Sequence, residues 1–121
     1  MTYKIVIPEI PPSNNKYMGN GRMGSNYKYQ EEKRMWEWLV KAAVKEKPDK
    51  PLKKAIVKIT YYFPTKHRRD PDNYSGKFLL DGLTKAGMIE DDSFSNIDLV
   101  LVGKIDRDNP RTEIEVVECK I

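Results

Sequence analysis

The amino-acid sequence predicts a small α/β domain of the α+β-like kind, with a mixed β-sheet packed against two main helices. Short apolar stretches alternate as β-strands do, and two longer stretches carry apolar residues at helical spacing. Their order along the chain is β-α-β-α-β-β. The chain has 121 residues, which suits one domain over residues 1–121, and no internal repeat divides it. Since such a domain has a limited core, a dimer interface would bury more apolar surface, and we expect a dimer.

The first strand and the first helix are predicted in the N-terminal part of the chain. Apolar residues alternate through residues 3–7, which indicates a strand that ends at Pro8. Residues 18–26 carry three glycines around Arg22 and indicate a mobile basic loop. A helix is expected over residues 27–45, where apolar side chains recur at helical spacing.

Three further strands are predicted in the rest of the chain. Residues 55–63 alternate between apolar and polar side chains over most of their length. The stretch Ile97–Ile105 is almost continuously apolar, which is typical of a central strand. A turn over residues 106–110 leads to a final strand over residues 112–118.

The second helix is predicted over residues 71–86. Asp70 before Pro71 is a common helix start, with the aspartate as N-cap, and Gly87 is a natural C-terminal stop. Such a helix is roughly 24 Å long at about 1.5 Å per residue. The segment from Gly87 to Asp92 recovers at most ~17 Å. Asp92 can therefore approach Asp70 only through a tight return, a shorter helix or a partner subunit, and we expect a tight return.

Composition limits the classes of function. Lysine and arginine total 22 against 18 acidic residues, and the net charge of +4 fits nucleic-acid binding without proving it. Cys119 is the only cysteine, which excludes an intrachain disulfide and suits a reducing compartment. His67 is the only histidine, which argues against a histidine-rich zinc site or a Ser-His-Asp triad. No signal-peptide segment or membrane-length apolar run is present, so we expect a cytoplasmic protein.

The clearest candidate site lies in residues 66–92. Asp70 and Asp72 are spaced two residues apart, Lys77 follows, and Asp91 and Asp92 come after the predicted helix. Gathered carboxylates repel one another unless a cation lies among them, and Mg²⁺ accepts two or three carboxylates together with water. Such an ion can activate a water molecule against a phosphodiester, and a lysine nearby can stabilise the developing charge.

Each of these residues also has a structural interpretation. In the structural alternative, Asp70 is a helix N-cap and nothing more. Asp72 is favoured in the first turn of a helix by the helix dipole alone. Asp91 and Asp92 can be ordinary turn residues, and Lys77 a solvated residue on a helix face. The basic run over residues 66–69 can be ordinary hydrated surface. Spacing alone therefore leaves the metal site and the structural alternative both open.

Longer motifs resemble the RusA-type Holliday-junction resolvases. Residues 11–17 (PPSNNKY) are similar to the opening motif of that family. Residues 68–73 (RRDPDN), then Lys77, then residues 81–87 (DGLTKAG) and the Asp91-Asp92 pair are similar to its catalytic stretch in order and spacing. The match covers most of the chain in outline.

The resemblance implies a role for each matching residue. Asp70 and Asp72 match the paired metal-binding aspartates, Asp92 matches the third, and Asp91 is a further candidate ligand. Lys77 matches the catalytic lysine. The family implies a homodimer with two such sites, which cuts opposing strands of a four-way DNA junction symmetrically in recombination and repair. It also implies Mg²⁺ as cofactor, with Mn²⁺ as a possible substitute, and a bacterial or prophage source.

The same resemblance suggests which residues contact DNA. The loop at Arg22 and the basic run would follow phosphates, and three residues of the opening motif are further candidates, with a turn-forming role as an equal alternative. The full set is Asn14, Asn15, Lys16, Arg22, Lys66, Arg68 and Arg69.

Two other functions remain under consideration. A less selective nuclease that acts on flaps, other branched DNA or RNA would use the same site chemistry. A catalytically silent junction-binding protein would keep the basic surface and the dimer but lose a metal ligand. All three expected aspartates and Lys77 are present, which argues against the silent protein.

Overall fold

Four strands and two helices make up the fold in the computed structural model, which describes residues 1–13 and 23–119 and the side chains of residues 1–13 and 27–119. The elements are β1 (Thr2–Ile7), α1 (Met23–Ala43), β2 (Ala55–Phe63), α2 (Lys77–Lys85), β3 (Ile97–Ile105) and β4 (Arg111–Glu118). A 3₁₀ turn, Pro71–Asn73, precedes α2. The predicted α+β class and element order are confirmed.

The strands form one mixed sheet in the order β1-β4-β2-β3. β4 lies antiparallel to β1 and to β2, whereas β2 and β3 are parallel. The connection between the parallel strands contains α2, because parallel strands need a crossover. Phe63 at the end of β2 pairs with Ile105 at the end of β3. The loop that leaves β2 and the turn that leaves β3 therefore start at the same end of the sheet.

The helices cover one face of this sheet. Alternate residues of β1, β2 and β4 are buried on that face, as the strand period of two requires. They pack in one cluster with Trp36 and Val40 of α1 and with Leu79 and Leu83 of α2. The opposite face of the sheet carries exposed charged side chains such as Lys4 and Lys58.

Helix α1 starts four residues earlier and ends two residues earlier than predicted. Its buried side is narrow, since Trp36 and Val40 are buried while Met35 and Trp38 are exposed. A Cβ atom at Gly82 of α2 would lie 2.8 Å from Val40 Cγ2, so glycine permits the close approach of the two helices. Neither helix of the described chain is long and apolar enough to cross a membrane.

The predicted helix over residues 71–86 is divided. After the single 3₁₀ turn the backbone breaks at Gly76, whose φ of 81° lies in the left-handed region that favours glycine. A Cβ atom at Gly76 would lie 2.6 Å from Ile59 Cδ1, so the chain passes close over β2 at this point. Asp70 is the N-cap of the short turn, but its side chain makes no capping hydrogen bond. The prediction of one continuous helix was therefore wrong.

The C-terminal stop of this helix is as predicted. Gly87 has a φ of 80°. Its N–H donates to the Thr84 carbonyl, and the Met88 N–H donates to the Leu83 carbonyl. These two bonds are the pair expected where a left-handed glycine ends a helix.

The expectation that Ile97–Ile105 is a central strand was wrong. β3 lies at the edge of the sheet and pairs with β2 alone among the described strands. Leu99, Val100 and Ile105 are exposed there. An apolar run is typical of strands buried on both faces, so the sequence pattern did not distinguish this edge position from a central one.

Candidate active site

Arg69 organises the loop that leaves β2. Its guanidinium lies 4.3 Å from the centroid of the Phe63 ring. The same group donates to the Thr65 carbonyl at 2.8 Å, to Thr65 Oγ1 at 2.9 Å and to the His67 carbonyl at 3.4 Å. Arg69 therefore uses much of its donor capacity to hold the shape of the loop.

The neighbouring basic residues face solvent. Arg68 is exposed, and its Nε lies 3.3 Å from Asp70 Oδ1 in an ion pair. Lys66 and His67 are also exposed. Because an exposed ion pair contributes little to stability, Arg68 can exchange the Asp70 carboxylate for a phosphate at little cost.

Asp70 also borders a small cavity with aromatic walls. Tyr61, Phe63 and Tyr74 form an aromatic cluster with ring centroids 5.1 to 5.8 Å apart. These rings line the cavity together with Asp70 and Leu101. The Tyr61 hydroxyl is buried without a hydrogen-bond partner among the described residues. Burial and the neighbouring Tyr74 raise the pKa of Tyr61, so this phenol remains protonated. Asp72 lies on the 3₁₀ turn and is exposed, whereas Asp70 is half-buried.

Lys77 is the first residue of α2, directly after the break at Gly76. Its Nζ lies 5.1 Å from the centroid of the Tyr29 ring on α1. A hydrogen bond with Tyr29 raises the pKa of Lys77; burial acts in the opposite direction, and the charges of Tyr29 and Asp81 add to the rise. Lys77 is therefore a positioned cation that stays protonated at neutral pH.

Asp81 lies one helical turn beyond Lys77 and is half-buried. Burial raises the pKa of Asp81, and the charge of Asp92 raises it as well, whereas Lys33 and Lys77 lower it. These influences place Asp92 in the electrostatic neighbourhood of Asp81. Asp92 also lines one groove together with Leu80 of α2, so the chain turns back toward this helix after its C-terminal stop.

The return is fixed by a short contact with the segment that precedes β2. Leu52 forms an isolated parallel bridge with Ile89. Its N–H donates to the Met88 carbonyl, and its carbonyl accepts from the Glu90 N–H. The two exposed aspartates follow at once, and the Asp91 carboxylate accepts a hydrogen bond of 2.9 Å from the Asp92 N–H. The nine residues of α2 span about 14 Å, so the shorter helix reduces the distance that the chain must recover.

The predicted site residues fall into two groups. Asp70 and Asp72 lie on the loop after β2, whereas Lys77 and Asp81 lie on α2, where the charge of Asp92 acts on Asp81. Over residues 1–13 and 23–119, no three or more His, Cys, Asp or Glu side chains are arranged to hold a metal ion. Carboxylates are the donors that Mg²⁺ prefers, so the donor chemistry fits, but the described residues of one chain do not gather the ligands. The metal assignment stays a prediction.

Four predicted DNA contacts lie outside the described residues: Asn14, Asn15, Lys16 and Arg22. The sequence-based interpretation gave no role to two neighbours of Lys77, Tyr29 and Asp81, although Asp81 begins the matched motif over residues 81–87. The four-residue spacing of Lys77 and Asp81 is a usable signal for the aspartate. Tyr29 had no such signal, because its contact with Lys77 depends on how α1 crosses α2.

A comparison with protein families identifies a family model that matches most of the chain. The model of the family Endodeoxyribonuclease RusA matches residues 8–117, which is most of the chain and includes every described residue of the candidate site. No curated protein matches the sequence. The chain belongs to the RusA endodeoxyribonuclease family, whose members are endonucleases that resolve Holliday junctions.

Proposed function

We propose that the protein is a magnesium-dependent homodimeric endonuclease that resolves four-way DNA junctions by paired symmetric nicks in recombination and repair. The observation that supports the proposal is that Lys77 and Asp81 lie one turn apart at the start of α2, and the charge of Asp92 acts on Asp81. Lys77 begins α2 just after the loop with Asp70 and Asp72, and Asp92 returns to the same helix. Acidic and basic groups side by side at a helix start are suited to phosphodiester hydrolysis.

The aspartates would hold the ion. Asp70, Asp72 and Asp92 are the proposed ligands, with Asp91 as a further candidate and Mn²⁺ as a possible substitute for Mg²⁺. The ion would lower the pKa of a bound water and neutralise charge on the phosphate. A second copy of the chain is the proposed route to a complete ligand set, since the described residues of one chain do not gather the carboxylates.

Lys77 would act on the phosphate directly. The hydrogen bond with Tyr29 keeps its ammonium protonated and oriented. A fixed positive charge that meets a developing negative charge lowers the barrier more than it favours ground-state binding. The negative charge of Asp81, one turn later in the same helix, partly offsets the positive charge of Lys77.

The exposed cations of the loop would follow the DNA backbone. Lys66 and Arg68 are exposed, so a phosphate can reach them, although Arg68 would have to leave its ion pair with Asp70. Arg69, in contrast, contacts Phe63 and Thr65. We therefore propose that Lys66 and Arg68 contact DNA directly and that Arg69 contributes mainly by holding the loop. The contacts at Asn14, Asn15, Lys16 and Arg22 remain part of the proposal.

Cleavage of a labelled synthetic four-way junction tests this function. The protein is incubated with the junction and with a linear duplex of matched sequence, in magnesium and in EDTA. Asp72→Asn is compared with Asp49→Asn, which changes an exposed carboxylate in the connection between α1 and β2. We expect paired nicks in the junction alone, lost in EDTA and in Asp72→Asn but retained in Asp49→Asn.

Other results would redirect the proposal. Equal cutting of junction and duplex would discard junction selectivity and favour the less selective nuclease. Tight binding of the junction without cutting in magnesium or manganese would favour the catalytically silent binding protein. Cutting in EDTA would overturn the dependence on metal.

A further inference from the structure

The β3 edge of the sheet has an unusual composition. β3 is nine residues long and, among the described strands, pairs on one side only. Natural proteins keep edge strands short, charged or covered, since an open apolar edge pairs with other chains. In β3, Leu99, Val100 and Ile105 are 39%, 42% and 48% exposed. This edge therefore has the features of an interface.

We propose that a second copy of this chain pairs with β3 in antiparallel orientation, with Leu101 on the twofold axis. The two four-stranded sheets would then form one continuous sheet of eight strands. Such an interface is isologous, because the same strand contributes from both subunits. The inference rests on the homodimer of the proposed function and specifies its surface and register.

Charge complementarity selects this register. With Leu101 on the axis, Asp98 faces Lys104 of the partner subunit, and the same pair is repeated by symmetry. Opposite charges directly across two antiparallel strands stabilise the pairing. Both side chains lie on the sheet face away from the helices, where Lys104 Nζ is 6.0 Å from the centroid of the Tyr62 ring. Val100 on the same face would meet Val102 of the partner subunit.

Neighbouring registers are less favourable. An axis on Val102 would place Asp98 opposite Asp106 of the partner subunit, and like charges across strands are destabilising. A slip by one residue would pair the core-facing side chains of one copy with the outward-facing side chains of the other. The two helical layers would then lie on opposite faces of the joined sheet.

The helix-covered face adds apolar contacts in the chosen register. Ile97 faces Ile105 of the partner subunit. Next to Ile97 is a wide groove with an apolar wall and a fully exposed phenylalanine. Its lining residues are Leu80, Asp92, Ser93, Phe94, Ile97, Asp98 and Leu99. The half-exposed side chain of Ile105 from the partner subunit would enter this groove and cover Leu99 and Phe94. The burial of this apolar surface would stabilise the dimer.

Charge reversal tests the register. Asp98→Lys and Lys104→Asp are prepared singly and together, and their dimer dissociation constants are measured by sedimentation and light scattering. Because each single change creates two repulsive pairs in the dimer, we expect each to weaken it at least about tenfold. The double variant restores both pairs and should recover the dissociation constant of the parent. Asp49→Lys, which changes an exposed charge in the connection between α1 and β2, should leave it unaltered.

A thiol placed on the axis gives an independent test. Paired residues of antiparallel strands have Cα atoms about 4.5 to 5.5 Å apart, within the range that a disulfide spans. In a Cys119→Ser background, Leu101→Cys should form a covalent dimer on oxidation or with a short bismaleimide, and Asp49→Cys should not. A monomeric parent protein, single charge reversals without effect, a double variant that fails to recover, or no crosslink at Leu101→Cys would each overturn the inference. A monomeric parent would also overturn the homodimer of the proposed function. A dimeric parent that does not respond to the changes in β3 would overturn the β3 interface alone, because none of these assays measures cleavage.

Discussion

Lys77 depends on a neighbour from another helix. The Tyr29 ring on α1 lies beside its ammonium and packs on Phe78, the next residue of α2, with ring centroids 5.3 Å apart. The lysine is thus held at the start of α2 by a side chain that is itself held by the core. A cation positioned in this way needs little reorganisation when charge develops on a phosphate.

Removal of the Lys77 ammonium should reduce catalysis far more than binding. We expect Lys77→Ala to cut the junction about 10²-fold more slowly, as for loss of one transition-state contact. Junction affinity should change much less, because one phosphate contact among many is lost. Single-turnover cleavage and gel-shift affinity measure the two effects. Lys85→Ala, at an exposed lysine in the last turn of the same helix, is the matched control; equal losses in both variants would contradict the role of Lys77.

The Tyr29 contact should appear in the pH profile of cleavage. Since the hydrogen bond with Tyr29 raises the pKa of Lys77, the ammonium stays charged to a higher pH than usual. In Tyr29→Phe the pKa of Lys77 falls, so the alkaline limb of the cleavage profile should move to lower pH. The rate at neutral pH should fall less than in Lys77→Ala, because the lysine is still present. An unchanged alkaline limb would show that Lys77 does not govern it.

At the level of elements, the break before α2 is set by one glycine. Gly76 and Gly87 have nearly equal positive φ values, but a Cβ atom would collide with Ile59 only at Gly76 and would meet nothing within 4 Å at Gly87. We expect Gly87→Ala to reduce the free energy of unfolding by about 1 kcal/mol, from the backbone alone. Gly76→Ala adds a steric collision and should reduce it by about 3 kcal/mol. Urea denaturation measures both, and equal losses would mean that the close approach to β2 relaxes freely.

The same break shows where local signals fail. Asp70, Pro71 and Gly87 are correct signals for helix ends, and the C-terminal stop lies where the sequence predicts it. The continuous helix between them was wrong because apolar spacing through the segment concealed Gly76. The requirement for glycine there comes from Ile59 on β2, a contact far away in sequence. Periodicity detects the face of an element, but a backbone crossing depends on tertiary packing.

Strand β4 begins with a network of ion pairs that should respond to acid. Arg111 donates to Glu113 at 2.7 Å and to Asp106 at 2.8 Å. The guanidinium holds the pKa values of both carboxyl groups below their ordinary values of 4.5 and 3.8. Groups with a lowered pKa in the folded state stabilise it above the unfolded pKa, and this contribution disappears as the pH falls through the folded value.

Arg111→Gln should therefore be less stable than the parent at pH 7, and the difference should shrink as the pH falls below about 4. Urea midpoints measured from pH 7 to pH 3 give this comparison. Arg107→Gln removes an exposed cation from the same turn and should show no such convergence. A stability difference that is constant with pH would indicate that Arg111 acts through packing on Tyr62, which its guanidinium approaches to 3.8 Å.

For the whole molecule, the order of the strands in the sheet could not be predicted from the sequence. Composition and alternation predict four strands and two helices, but the apolar run of β3 was assigned to the centre of the sheet and lies at its edge. One chain's sequence does not distinguish burial under its own helices from burial under a partner. The candidate site is limited in the same way. The motif identifies the aspartates, but it does not contain the distances that decide whether their side chains come together around one ion.

The charge of the whole molecule gives a last prediction, because phosphate contacts make DNA affinity depend on salt. The logarithm of the association constant should fall linearly with the logarithm of the salt concentration, with a slope of about −0.9 per phosphate contact. Replacing Lys66 or Arg68 with alanine should therefore reduce the steepness by about 0.9 and weaken binding to any DNA sequence alike.

Lys54→Ala is the control for this effect. Lys54 is exposed directly before β2, so the length of that strand, roughly 26 Å at ~3.3 Å per residue, separates it from the basic run over residues 66–69. That distance exceeds the Debye length of about 10 Å at 0.1 M salt, so its charge contributes little where the loop binds. If Lys54→Ala changed the salt slope as much as Arg68→Ala, the DNA would follow a different surface, and the basic run over residues 66–69 would no longer be the place where the junction backbone binds.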